Sequence, residues 1–549
     1  MSVITRPDEG YYEPLAEQTM LCGDKYGITM ALSLFLNGKH EIPTTFHAYI
    51  RDCPFDGAYL VTAGQNIFFE WLKNWKFTDR DLNWLRKQLT NDEMTNEQTA
   101  QVEDFLTMLK ESGLQLTVDA MPEGEVAFPD EPIARIHGPA WQCLVVEAML
   151  LNVINSQSLF ATLASRLVEV ADGADIFAFG LRRGQAIGGL EAARGTYVGG
   201  CAGTSNMQAA EFYDIPCVGT MAHALVMMYE DELDAFKDYI GALPHNGIFL
   251  VDTYNTLEGV KNAIKACQEK GLTLKGIRLD SGDLAYLSNE ARKLLDAAGF
   301  TNAKITASND LDENEILRLK SEGCKIDVWG VGTHLETSSA QPALGAVYKL
   351  GAIFDKNLSF EEIEATRKLV KEGRSPLEKG FTRDVIKLSQ DAIKTTIPGE
   401  LDVVRYVQTD KDGNWMQYES DTIISNLVED PVGPDGKLTR DVVSVMKADD
   451  TQSRCFHKGT VAYHPISRTF EMGQQVGAIE TIHPARQRWA RTKNMLHRSV
   501  LRSKRVKGRE NQAYAYKVGI EESLSDHRKG MIRRLHQTHF GPGAPALTA

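Results

Sequence analysis

The chain has 549 residues, 43% hydrophobic and 24% charged, which is ordinary globular composition and excludes disordered and fibrous classes. Its net charge of -14 does not suggest a nucleic-acid binder. No apolar run is long enough to span a bilayer, and the start Met1-Ser2-Val3-Ile4-Thr5-Arg6-Pro7 lacks the apolar core of a signal peptide.

The first ~135 residues mix helical patterns with short strands and turns. Val126-Ala127-Phe128 and Ile133-Ala134-Arg135-Ile136 read as strands, cut by Pro129 and by Gly138-Pro139. Leu144 to Val168 is rich in Leu, Ala and Met and reads as one or two buried helices. From Asp175 onward, strands and helices alternate. Gly247 to Val251 is a short buried strand. A helix follows with Leu257, Val260, Ile264 and Cys267 on one face, ended by Gly271. Gly276 to Leu279, Lys304 to Ala307 and Ile326 to Val331 are further strands. Helices lie between them, through Leu294-Leu295 and around Ile316 to Leu319. The repeat of roughly 22 to 29 residues fits βα units in a parallel sheet or barrel.

In such folds functional groups gather where strands end and helices begin. Four successive strand ends carry Asp252-Thr253, Asp280-Ser281-Gly282-Asp283, Ser308-Asn309-Asp310 and Gly332-Thr333-His334. Asp, Ser, Asn and Thr are also favoured helix N-caps, so a single instance does not decide between cap and site. Four in succession favour a site.

Residues 353 to 386 are charged and helix-like, with a turn at Pro398-Gly399. The tail from about 400 is mixed strand and turn, ending in basic helical sequence and a frayed Gly541-Pro542-Gly543-Ala544-Pro545. From His483 to Arg509 there are ten Lys/Arg and no Asp/Glu. With Trp489 as the only aromatic in that run, a solvated helix face is favoured over a nucleic-acid surface. The eight cysteines stand singly, with no Cys-x-x-Cys pair, so neither a zinc site nor a disulfide framework is indicated. A reducing cytoplasm is the simplest home. P-loop, Gly-x-Gly-x-x-Gly and His-Glu-x-x-His motifs do not occur.

Five segments stand in a suggestive order: Asp24-Lys25-Tyr26-Gly27-Ile28-Thr29-Met30, Phe179-Gly180-Leu181-Arg182-Arg183-Gly184-Gln185, Gly203-Thr204-Ser205-Asn206, Gly219-Thr220-Met221-Ala222-His223 and Arg278-Leu279-Asp280-Ser281-Gly282-Asp283-Leu284. Together they resemble the nicotinate phosphoribosyltransferases, members of the type II phosphoribosyltransferases. Weaker similarity runs from about Tyr26 to Tyr406, and Lys387-Leu388-Ser389, Lys394-Thr395, Pro398-Gly399 and Arg405 resemble a segment that follows the family's barrel. That segment comes late, so 353–386 reads as an insertion.

The resemblance implies an irregular α/β barrel over about 136–352, and an α/β sandwich domain built from 1–135 and 387–549. It implies an enzyme that joins nicotinate to phosphoribosyl pyrophosphate (PRPP), with Mg²⁺, and with ATP as co-substrate. A homodimer with shared sites is implied too. Phe179 would stack one face of the pyridine ring and a neighbour's Tyr26 the other. Arg278, Ser205 and Thr204 would meet the carboxylate. Ser205 stands where the related nicotinamide-using enzymes carry an aspartate, which would repel a carboxylate. Arg182, Ser308, Asn309, Gly332 and Thr333 would take the phosphates of PRPP. Asp280 and Asp283 resemble the acidic groups around the ribose and Mg²⁺. His223 matches the histidine that ATP phosphorylates. Ala224, where the family more often has serine, is a departure. The alternatives are a nicotinamide phosphoribosyltransferase, and a non-catalytic sensor of nicotinate or PRPP. For residues such as Phe179 and His223, a purely structural role in the core is the bland alternative.

Overall fold

The computed structural model describes residues 19–185, 188–389, 395–447, 449–502 and 513–540. The first seven residues, Lys394, the basic run from 503 to 509 and the Gly541–Pro545 stretch lie outside the described residues. The chain forms two compact units. One comprises the described residues up to Ser158, with 344–500 and those from Tyr514 on; the other is Leu159–Ala343 with 501, 502 and 513.

The second unit is built on six parallel strands. Their order across the sheet is Gly203–Thr204, Asp175–Ala178, Val328–Val331, Lys304–Ala307, Gly276–Leu279 and Ile248–Leu250. These are short apolar runs, as strands covered on both faces require. Phe249, Ile277, Leu279, Ile305, Val331 and Trp329 are fully or almost fully buried, each worth about 1.5–3 kcal/mol for an aliphatic or aromatic side chain. Among the described residues no ladder joins the two outer strands into a ring. The connecting helices follow their sequence signals. Thr256–Lys270 starts at Asn255, whose side chain accepts from the Glu258 N–H, and it stops at Gly271 with φ +65°.

Register matters most for function. Ala178 pairs with Val331, Ala307 with Trp329 and Leu279, and Leu250 with Arg278. All the strands run the same way and finish along one edge. The residues that follow them therefore share that edge, which is where open α/β sheets bind ligands.

The first unit weaves both ends of the chain into one seven-stranded sheet. Pro43–Tyr49, Thr117–Ala120 and Ala134–Pro139 come from the N-terminal part. Val347–Phe354, Thr382–Asp384, Ser467–Glu471 and Gln474–Gln475 come from beyond the second unit. A second sheet of six strands lies within 401–521. Between its strands, fully buried Arg405 pairs with Asp421 at 2.7 Å and with Glu125 at 2.8 Å, and its guanidinium lies over the Phe128 and Tyr418 rings. Removing one partner of such a buried pair costs about 3–5 kcal/mol.

The 353–386 stretch adds helix Phe360–Lys371 and strand Thr382–Asp384, which pairs antiparallel with Val347–Phe354 at the edge of the seven-stranded sheet. Ile363 and Phe381 enter a core cluster with Ala352, Phe354 and Leu427, and buried Arg367 pairs with Glu400. The described part of the basic run forms helices Ile482–Met495 and Arg498–Leu501. The first buries Ile482, Ala485, Trp489 and Thr492, leaves Arg491 exposed and Arg486, Arg488 and Lys493 half-buried, with Arg488 paired to Glu480 at 2.8 Å. The final helix is Glu522–Phe540. None of the eight cysteines, all of them among the described residues, is in a disulfide. No helix among the described residues is long and apolar enough to cross a membrane.

Candidate active site

The strand ends of the second unit enclose a cavity of about 430 Å³, lined by Phe179, Arg182, Asp280, Ser308, Gly332 and Thr333 among others. Asn309 lies on the same wall. That size suits a small-molecule ligand. Six residues expected from sequence to handle the ring or the phosphates thus come together with Asp280.

Phe179 follows strand Asp175–Ala178, and its N–H donates to the Val331 carbonyl at 2.8 Å. Its ring lies against Gly330: a Cβ there would fall 2.4 Å from Phe179 Cδ2. The glycine is what lets the ring lie across the neighbouring strand. Arg182 sits in the single turn Leu181–Arg183 and is exposed, as a residue that meets a soluble phosphate must be. Gly332 caps the one-turn helix Thr333–Thr337.

Asp280 is held from two sides. Ser308 Oγ donates to its Oδ1 at 2.6 Å, and its backbone N–H donates to Asp252 Oδ2 at 2.8 Å. Ser281 Oγ donates to the same Asp252 oxygen at 2.7 Å. Asp252 is buried, with 1% of its side chain exposed. Its Oδ1 has no hydrogen-bond partner among the described residues.

His223 is the first residue of the short helix His223–Met227. Its Nε2 lies 4.0 Å from that Asp252 Oδ1 and 3.9 Å from Asp280 Oδ2, ion-pair distances rather than hydrogen bonds. Its Nδ1 lies 3.2 Å from Thr253 Oγ1. Two carboxylates facing Nε2 favour a proton there. In that tautomer, assigned from the surroundings, Nδ1 carries the lone pair and accepts from the Thr253 hydroxyl. The imidazole is 40% exposed, so an incoming group reaches it.

Arg278 lies on the adjacent strand. Its Nη2 donates to the Met221 carbonyl at 3.1 Å, in the residues leading to His223, while its buried Nε–H has no partner among the described residues. Burial pulls its pKa down. Asp280 and Asp252 push it up, and Arg182 adds to the lowering. A half-buried cation with an unused donor is suited to an anionic ligand group.

Other expected residues are placed differently. Thr204 is buried, its hydroxyl donating to Ala178 O at 3.3 Å and accepting from the Asn206 N–H at 3.1 Å. Half-buried Ser205 follows it, its N–H donating to Ala178 O at 3.0 Å. Neither lines the 430 Å³ cavity. Asp283 caps helix Leu284–Ala297, accepting from the Tyr286 N–H at 3.0 Å through Oδ1. Tyr26 belongs to the first unit, on helix Lys25–Leu36, and is 47% exposed.

Three residues of this region were given no individual role from the sequence. Asp252 and Thr253 carried the strand-end signal but no family motif pointed to them. Glu336 gave no local signal. It lies beneath the glycine-rich arginine turn: a Cβ on Gly180 would sit 2.4 Å from Glu336 Cβ, and one on Gly189 2.9 Å from its Oε1. Burial pushes its carboxyl up to about 7.

Comparison with known proteins identifies the family. The nicotinate phosphoribosyltransferase N-terminal domain family matches residues 21–155, and the nicotinate phosphoribosyltransferase family matches 179–396. The nicotinate phosphoribosyltransferase of Bacillus subtilis is 39% identical over 448 residues, covering 80% of this chain and 84% of the relative. That of Dictyostelium discoideum is 35% identical over 445 residues, covering 72% and 69%. Human nicotinic acid phosphoribosyltransferase shares the fold, with a TM-score of 0.70 at 23% identity over 92% of this chain and 99% of that one. The two family matches together span more than half of the sequence, and with the relatives they establish that the chain belongs to the nicotinate phosphoribosyltransferase family of enzymes.

Proposed function

We propose that the protein joins nicotinate to the ribose 5-phosphate of PRPP, giving nicotinate mononucleotide and pyrophosphate, and couples this to ATP hydrolysis through phosphorylated His223. The observation that carries the reading is the placement of His223 between Thr253 and two carboxylates. One of those carboxylates, Asp280, also lines a cavity with an aromatic wall and an arginine.

Nδ1 of His223 attacks the γ-phosphorus of ATP. An N–P bond forms, the bond to the bridging oxygen breaks, and ADP leaves with its electron pair. The Nε2 proton stays on the ring, and Asp252 and Asp280 offset the imidazolium charge. Water later cleaves the N–P bond and restores the histidine. In the second half-reaction the pyridine nitrogen of nicotinate forms a bond to ribose C1 as the C1–O bond to pyrophosphate breaks. Positioning and electrostatics carry this step. Phe179 stacks on the ring. Arg278 pairs with the carboxylate, with Ser205 and the Thr204 segment beside it. Arg182, Ser308, Asn309, Gly332 and Thr333 take the phosphates.

The donor set at this strand end is all oxygen, which fits the hard cation Mg²⁺. Asp280 would hold it, together with the Asp283 oxygen not used in the helix cap. When bound it supplies neutralising charge to the leaving pyrophosphate. Tyr26, exposed on its helix, would close the ring slot of a second copy in a homodimer, and a cytoplasmic enzyme of NAD biosynthesis fits the free thiols.

Ser205 favours nicotinate over nicotinamide, because a hydroxyl tolerates a carboxylate that an aspartate would repel. The test is pyrophosphate release from PRPP and Mg²⁺ with each base in turn. Release with nicotinate supports the reading. Release with nicotinamide alone moves the protein to the sister activity, and binding without release makes it a sensor.

A further inference from the structure

In the first unit, strands Val442–Met446 and Ser453–Phe456 pair antiparallel, with Val442 opposite Phe456 and Val443 opposite Cys455. Asp441 immediately precedes the first strand and His457 immediately follows the second. The ladder therefore sets them side by side. Cys455, two residues before His457, shares its face by the period of two. Three potential metal ligands result, all exposed. His457 Nδ1 is 3.2 Å from Asp441 Oδ2 and 3.7 Å from Cys455 Sγ, and Sγ is 4.0 Å from Oδ2.

Those three edges suit one cation. Tetrahedral zinc, with Zn–S of about 2.3 Å and Zn–N and Zn–O of about 2.0–2.2 Å, separates its ligand atoms by roughly 3.3–3.6 Å. The observed edges lie within about half an ångström of that range. A simple surface ion pair between His457 and Asp441 accounts for one edge. The Cys455 thiol completes the triangle, within reach of both partners.

The supporting contacts hold the ligands in place. Asp441 Oδ1 accepts from the Lys458 N–H at 2.7 Å, which leaves Oδ2 for the cluster. The His457 carbonyl accepts from Thr460 Oγ1 at 2.7 Å and from Thr460 N–H at 3.0 Å, closing a turn through Gly459 at φ +90°. Ordered surroundings of this kind orient metal ligands. The sequence hides the site, because it has no Cys-x-x-Cys: its donors are one cysteine, a histidine two residues on, and an aspartate fourteen residues before the cysteine.

We propose that Asp441, Cys455 and His457 form a binding site for Zn²⁺ or a similar borderline divalent cation, with the fourth position open to water or to a donor from another molecule. The site shares no residue with the phosphoribosyl-transfer machinery.

The experiment is titration of the metal-free, full-length protein with Co²⁺ as a spectroscopic substitute. The expected result is a near-ultraviolet thiolate-to-cobalt charge-transfer band with the visible absorption of four-coordinate cobalt, both displaced by Zn²⁺. Cys455→Ser abolishes the band. His457→Ala and Asp441→Asn each weaken binding at least about tenfold. Cys217→Ser, which removes another exposed thiol, leaves binding unchanged. Absence of the band in the wild type, or its survival in Cys455→Ser, overturns the proposal. All three side chains are exposed, so the variants are expected to keep the wild-type thermal midpoint, which is recorded alongside.

Discussion

Nε2 of His223 lies 4.0 Å from Oδ1 of Asp252, a buried carboxylate oxygen that accepts no hydrogen bond among the described residues. An unpaired buried carboxylate oxygen is costly, and a cation or an N–H brought to it recovers that cost. A histidine that gains positive charge on phosphorylation is such a group. In the proposed mechanism Asp252 acts as a positioning residue that sets the tautomer. Asp252→Asn is expected to lower phosphohistidine formation about 100-fold or more. Asparagine keeps one oxygen for the Asp280 N–H and Ser281 hydroxyl, so ATP-independent turnover falls much less. Rapid-quench measurement of the phosphoenzyme beside steady-state turnover separates the two. Equal losses in both would reduce Asp252 to scaffolding.

Phe179 and Gly330 form a coupled pair. Phe179→Ala should raise the KM for nicotinate at least about tenfold, from an aromatic contribution of about 0.5–1.5 kcal/mol plus lost burial. Gly330→Ala should act through the same ring, because its Cβ would fall 2.4 Å from Phe179 Cδ2. The double variant should then cost less than the sum of the singles. Strict additivity in KM would show that the glycine acts elsewhere.

Ser205→Asp places a carboxylate near the expected position of the substrate carboxylate. We expect kcat/KM for nicotinate to fall at least about 100-fold, and the preference to move toward nicotinamide. Steady-state kinetics with both bases checks this. An unchanged preference would remove Ser205 from the specificity argument.

Glu336 gives a pH signature. Its ordinary pKa is 4.5, and burial raises it to about 7 in the folded protein. Between those values the native state binds more protons than the unfolded state. Stability should thus fall as pH rises from about 4.5 to about 7 and level off above, by an amount on the order of 3 kcal/mol. Glu336→Gln should remove that slope and stabilise the protein above pH ~7. Denaturant unfolding of both proteins across this range reads it directly.

Local signals were legible in the sequence. Strands Gly276–Leu279 and Lys304–Ala307 stand where the apolar runs between turn residues put them, and Gly271 stops its helix in the left-handed conformation. The edge of strand ends was legible for the same reason, since each polar residue directly follows an apolar run. What depended on partners distant in the chain was not. Nothing around Asp252 says that its Oδ1 would be left facing a histidine 29 residues earlier. Nothing around Glu336 says that Gly180 and Gly189 would close over it. The seven-stranded sheet is another case: the strand Ser467–Glu471 pairs with Thr117–Ala120 across about 350 residues, a choice that hydrophobic pattern alone does not specify. Asp283 shows the opposite limit, a motif residue whose nearest duty is to cap a helix.

Coupling through His223 is read from the rate of nicotinate-dependent pyrophosphate release, with and without ATP, in the wild type and in His223→Ala. ATP is expected to stimulate the wild type and to leave His223→Ala at its ATP-independent rate. Equal stimulation of both proteins would contradict that coupling, because ATP would then act without the histidine.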